Sequence, residues 1–177
     1  ALKRVAQSLQ SKGLGLLVYD AYRPRRGTLA MVDWAERTQQ VHLLDGGYIA
    51  RRSGHNHGHT IDLTLYDLAT GQALDMGTPW DTLTEESHTR RATGQALQNR
   101  LLLKAAMEAE GWGYYFREWW HFRYPMKGTR SRDVPYSCFE PAEGQWRAPV
   151  GWSQPDFVPA KAWDAHKCPA AEAQLIK

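Results

Sequence analysis

Ser53-Gly-His-Asn-His-Gly-His-Thr-Ile-Asp-Leu-Thr-Leu-Tyr66 sets three imidazoles immediately before an alternating run that carries a carboxylate. From Thr60 onward Ile61, Leu63 and Leu65 are apolar and Thr60, Asp62 and Thr64 polar, which predicts a half-buried strand with Asp62 on its polar face. In an extended chain His55, His57 and His59 would share one side, and Asp62, an odd number of residues from each, would take the other. A regular strand therefore cannot join histidine and carboxylate. Gly58 supplies the backbone freedom for a tight turn, so a histidine from the preceding loop can fold back toward Asp62. His55 is the first choice, and His57 and His59 read as polar loop residues.

An imidazole and a carboxylate make half of a metal site. Zinc takes nitrogen, sulfur and oxygen donors, and a catalytic zinc keeps three protein ligands and one open position. Glu118-Trp-Trp-His-Phe-Arg-Tyr-Pro125 offers the other half. Its aromatic run predicts a strand on which His121 shares a face with Trp119 and Arg123. Glu118 has the opposite parity and so belongs in the turn entering that strand. This suits His121 as a ligand and Glu118 as a carboxylate that reaches an attacking water, where it can take a proton and pass it to a leaving amine.

Upstream, Leu2, Val5, Ala6 and Leu9 follow helical spacing that ends at Gly13, which predicts a first helix. Leu14 to Tyr19 reads as a buried strand delivering Asp20-Ala-Tyr-Arg-Pro24, where Pro24 holds Arg23 extended. A second helix is expected over 26–39, with Leu29, Val32 and Ala35 or Glu36 at helical spacing and Met31 and Trp34 widening the apolar face. Asp45-Gly-Gly47 is a turn, 67–77 a hairpin connection and 78–91 a long polar loop of the kind often found beside a site. A third helix is expected from Gly94 to Glu110, presenting Leu97, Leu101, Ala105 and Met107 or Glu108. His42, His88 and His166 lack partner spacing and read as surface residues.

Ser53-x-His55-x-x-Gly58-x-Thr60-x-Asp62, Glu118-x-x-His121 and Asp20-Ala-Tyr-Arg-Pro24 together resemble, in the same order, the three motifs of the zinc D-alanyl-D-alanine dipeptidases, within the hedgehog/D-alanine peptidase superfamily. That resemblance implies one zinc per chain on His55, Asp62 and His121, with Glu118 as general base and Arg23 stabilising the tetrahedral intermediate. It further implies that Asp81 receives the substrate ammonium, that Ser53 helps hold the dipeptide, and that the substrate is D-Ala-D-Ala. Thr60 stands where the family pattern has a small alanine, which bears on pocket shape. Two other functions share these residues: a D,D-carboxypeptidase or endopeptidase on longer wall peptides, and a non-catalytic zinc-binding module. Asp81 speaks against the first, and Glu118 with Arg23 against the second.

The 177 residues, 42% hydrophobic and 23% charged, suit one α+β domain, with helices packed on a small antiparallel sheet whose polar edge carries the metal. A net charge of +3 with scattered basic residues excludes a nucleic-acid-binding stripe, and no apolar run is long enough for a membrane span. The peptidase core is expected over 1–125 and an irregular tail over 126–177. The chain begins without methionine inside an amphipathic pattern, so a leader or further segment is expected before Ala1. The expected location is the periplasm or cell envelope, with the cytoplasm as the alternative. Cys138 and Cys168 lie far from every motif, and two cysteines permit a disulfide in an oxidising compartment without requiring one.

Overall fold

The alternation from Thr60 onward does form a strand, and the sheet is built outward from it. The structure is a computed structural model that describes residues 1–134. Leu2–Gln10 form α1, Leu14–Asp20 β1, Arg25–Arg37 α2, Val41–Asp45 α3, Thr60–Asp67 β2, Gly94–Ala109 α4, Gly113–Tyr114 β3 and His121–Arg123 β4. Short 3-10 helices cover Gly54–His57 and Glu85–Ser87. The sheet is antiparallel, in the order β1-β2-β4-β3, so the fold is α+β as expected.

Ile61, Leu63 and Leu65 of β2 and Phe122 of β4 join Val5 and Leu9 of α1 and Leu103 and Met107 of α4 in the main core. Burying each such side chain contributes about 1.5–3 kcal/mol. Trp119 and Trp120 are buried in the same core, but they occupy a turn, and β4 begins only at His121. A second cluster joins Ala35, Leu43, Leu44 and Ile49.

Several expectations are corrected. Strand β2 is buried on both faces, not half-buried, because Thr60, Asp62 and Thr64 are each no more than 2% exposed. As an inner strand β2 receives β1 on one side and β4 on the other, so the candidate site sits on the two inner strands and not on a polar edge. The inward face of α4 is Ala96, Asn99, Arg100, Leu103 and Met107; Leu101 and Ala105 are exposed. The inward face of α2 is turned likewise toward Thr28 and Ala35, leaving Leu29 and Trp34 exposed. Helix α3 was not anticipated, since five residues are too few to display a period.

The first compact unit runs from Ala1 to Asp133. Arg26 binds Asp133 through its backbone N and its guanidinium, Arg25 N donates to Arg132 O, and Arg132 N donates to Asn56 O. Cys138, Cys168, His166 and most of the expected tail lie outside the described residues. Among the described residues no helix is long and apolar enough to cross a membrane.

Candidate metal centre and active site

Strand register sets the first part of the site. Asp62 of β2 pairs with Asp20 of β1 and with His121 of β4, so two carboxylates and an imidazole stand abreast across three strands. The β1 ladder is irregular between Val18 and Asp20, and beyond it the chain turns through Ala21 to Pro24.

His55 reaches this row from the 3-10 helix. Ser53 caps that helix by accepting a hydrogen bond from His55 N at 3.2 Å, and Gly58, at φ 73°, ends it in the left-handed region that favours glycine. Gly54 packs so closely on β2 that a Cβ there would lie 2.3 Å from Thr60 Oγ1. His55 Nδ1 is 2.7 Å from the Ala21 carbonyl, which can only accept, so Nδ1 carries the proton and Nε2 is left with its lone pair. Nε2 lies 3.3 Å from Asp62 Oδ1, and His121 Nδ1 approaches the same oxygen at 3.0 Å.

One nitrogen of each imidazole and one oxygen of Asp62 all lie within 4.8 Å of one another. His55 Nε2 and Asp62 Oδ1 are buried and have no hydrogen-bond partner among the described residues, although buried polar atoms are ordinarily satisfied. Two imidazole nitrogens and a carboxylate oxygen, two of them orphaned, form a donor set that fits a divalent cation such as zinc. His57 and His59 stay outside it: His57 Nδ1 meets Thr129 Oγ1 at 3.2 Å, and His59 is buried beside the His57 ring. His88 is not a surface residue, for it is half-buried with Nε2 2.9 Å from the Tyr48 hydroxyl.

Glu118 lies in the turn before β4, as its parity required, and its Oε2 is 3.4 Å from His121 Nδ1. Burial, then the charges of Asp62 and Asp81, push its carboxyl up to about 9. Burial works in the same direction on Asp62, but the His121 and His55 imidazoles beside it outweigh it and hold that group at about 2. Two acids of one site are thereby driven apart, one toward a proton-holding role and the other toward a permanent anion.

Arg23 follows β1, and its Nε and Nη2 donate to Asp20 Oδ2 at 2.9 and 2.5 Å. Burial would lower its pKa, but the Asp20 charge and hydrogen bonds raise it. Among the described residues its Nη1 meets only the Met31 sulfur, at 3.1 Å, a weak acceptor that a substrate oxygen can replace. Arg23, Ser53, His55, Asp62, Asp81, Glu118 and His121 line one cavity of about 370 Å³. Asp81 adopts φ 60°, unusual for a residue other than glycine. The residue is exposed at the cavity mouth, but burial of its carboxyl and the Asp62 charge raise its pKa to about 6. His121, Gly54 and Tyr115 also border a larger open groove of about 960 Å³, but the clustered acids lie in the smaller cavity.

Three positioning groups were given no role by the sequence reading: Asp20, which stands in the quoted motif, the Ala21 carbonyl, and Asn56, whose Nδ2 donates to Arg23 O at 2.8 Å and to Thr28 Oγ1 at 2.9 Å. Asp20 could have been suspected from its i,i+3 spacing to Arg23. A backbone carbonyl leaves no trace in side-chain identity.

Residues 1–141 match the family model described as D-ala-D-ala dipeptidase. The chain is 36% identical over 138 residues to a D-alanyl-D-alanine dipeptidase of Enterococcus faecalis, covering 70% of this chain and 68% of that relative. Proteins of the same name are 37% identical in Streptomyces coelicolor, over 69% of this chain and 68% of the relative, and 37% identical in Escherichia coli, over 78% and 70%.

Proposed function

The chain belongs to the D-Ala-D-Ala dipeptidase family, and from that premise we propose that it is a zinc peptidase hydrolysing the amide of D-alanyl-D-alanine, with one zinc per chain held by His55 Nε2, Asp62 and His121. The observation that carries this reading is the convergence of that donor set with Glu118, Arg23 and Asp81 on one small cavity. When bound, zinc supplies Lewis-acid polarisation of the scissile carbonyl and a lowered pKa for the attacking water.

The chain's own groups do the remaining work. Glu118, 3.4 Å from His121, is ionised once a bound cation offsets the burial and the Asp62 and Asp81 charges that favour its protonated form, and then takes a proton from the attacking water and delivers it to the leaving amine. Arg23, anchored on Asp20, presents Nη1 to the oxygen on which negative charge develops. Asp81 at the cavity mouth pairs with the substrate's free ammonium, and Ser53 helps hold the dipeptide in addition to capping the His55 turn. A carboxylate at one end and the ligand set at the other measure a two-residue substrate.

Release of D-alanine from D-Ala-D-Ala and from N-acetyl-D-Ala-D-Ala, by zinc-loaded and chelator-treated protein, tests the proposal. Zinc-dependent cleavage of the free dipeptide, with the acetylated analogue slower by about 100-fold or more, is expected. Preferential cleavage of acetylated or longer peptides would establish the D,D-carboxypeptidase function instead, and inertness toward all of them a zinc-binding module.

A further inference from the structure

Arg100 of α4 is 1% exposed, and among the described residues no carboxylate lies within 4.0 Å of it. A buried cation without an acid partner is costly unless its donors are matched, and here they are matched by one segment of chain. Nε donates to Met76 O at 2.6 Å, Nη1 to Glu86 O at 2.9 Å and His88 O at 2.8 Å, and Nη2 approaches Thr78 Oγ1 at 3.4 Å. These acceptors flank Asp81 on both sides. Asn99, its neighbour on the helix, donates to Asp75 O at 2.8 Å.

The other side of the segment is tied to the turn that carries Glu118. Trp119 Nε1 donates to Thr78 Oγ1 at 2.9 Å, Trp119 N donates to Ser87 O at 3.1 Å, and Ser87 Oγ donates to Thr82 O at 2.5 Å. The carboxylate of Asp81 itself takes part in no hydrogen bond with the described residues. Its position therefore depends on the backbone, which it enters at φ 60°. An apolar side chain at position 100 would fill the same space, but only a guanidinium gathers three separated carbonyls at fixed angles.

We infer that Arg100 is a positioning residue for substrate recognition: by holding residues 76–88 against the Glu118 turn, it sets where Asp81 meets the substrate ammonium, and hence the length the cavity accepts. This rests on the dipeptidase reading above, in which Asp81 receives the ammonium.

A double-mutant cycle between Arg100→Lys and Asp81→Asn in the zinc-loaded full-length chain reads the coupling. A lysine keeps the charge but cannot span three carbonyls. Arg100→Lys is expected to raise KM for D-Ala-D-Ala by about 10-fold while kcat falls less than about 3-fold and zinc content is unchanged, the signature of lost binding and not of a lost fold. In the Asp81→Asn background the same change is expected to add less than about 2-fold. Thr78→Val, which removes the acceptor shared by Arg100 and Trp119 at nearly constant volume, should behave alike and carries the cycle if Arg100→Lys does not fold. An equal effect in both backgrounds, or a loss confined to kcat, would overturn the inference alone. A wild-type protein that turns over no D-Ala-D-Ala would overturn the functional reading and this inference with it.

Discussion

Replacing Glu118 with glutamine should make the metal-free protein more stable at neutral pH while removing its chemistry. Glu118 is 7% exposed, and its carboxyl is pushed from an ordinary 4.5 up to about 9. The folded chain thus keeps a proton that the unfolded chain releases, so its stability falls as pH rises from 4.5 toward 9. At pH 7.5 the interval is three units at about 1.36 kcal/mol each, a ceiling of about 4 kcal/mol. Water entering the cavity screens part of this, so a gain of about 2 to 4 kcal/mol is expected for Glu118→Gln. The Asp62 carboxyl, held at about 2, acts with the opposite sign, losing its stabilisation only in strong acid, and it is present in both proteins. Urea unfolding of chelator-treated wild type and variant at pH 5.0 and 7.5 measures the difference. The two should nearly coincide at pH 5.0 and separate at pH 7.5, with the wild type the weaker. Curves that run parallel across that range would refute the account of Glu118 as a buried acid strained by Asp62 and Asp81.

Asn56→Ala strips the donor from Arg23 O and from Thr28 Oγ1; a cost of about 1–3 kcal/mol is expected, with kcat reduced and zinc content unchanged, measured by thermal unfolding and steady-state kinetics. Gly54→Ala drives a methyl into Thr60 Oγ1 on a buried β-branched residue. It should weaken metal affinity and cost about 1–3 kcal/mol, and Thr60→Ala in the same chain should restore both; failure of that rescue in a competition titration would show the strain to lie elsewhere.

The local halves of the site were readable because their geometry is short-range. Gly58 and the parity of Thr60 to Leu65 fixed how His55 could return to Asp62, and the spacing of Glu118 to His121 put the acid in the turn. What lay beyond the sequence is set by tertiary contact. Thr60, Asp62 and Thr64 look like a solvent-facing row, yet they are buried; at Thr60 the covering group is Gly54. The face of α4 was misassigned apart from Met107, because its leucines drew attention to Leu97 and Leu101. Its buried stripe runs through Ala96, Arg100, Leu103 and Met107, and an arginine interrupting an apolar row at i and i+4 was the available signal. That signal is weak on its own, since a helical arginine is ordinarily a solvated charge.

Metal content and dipeptide hydrolysis measured on the same preparations of wild type, Glu118→Ala and His121→Ala test the central claim most directly, because they separate holding the metal from using it. With the carboxylate 3.4 Å from His121 Nδ1 and outside the clustered donor set, Glu118→Ala should keep about one zinc per chain and lose about 10² to 10⁴-fold in turnover, whereas His121→Ala should lose both. Zinc lost from Glu118→Ala, or turnover kept in it, would contradict the account.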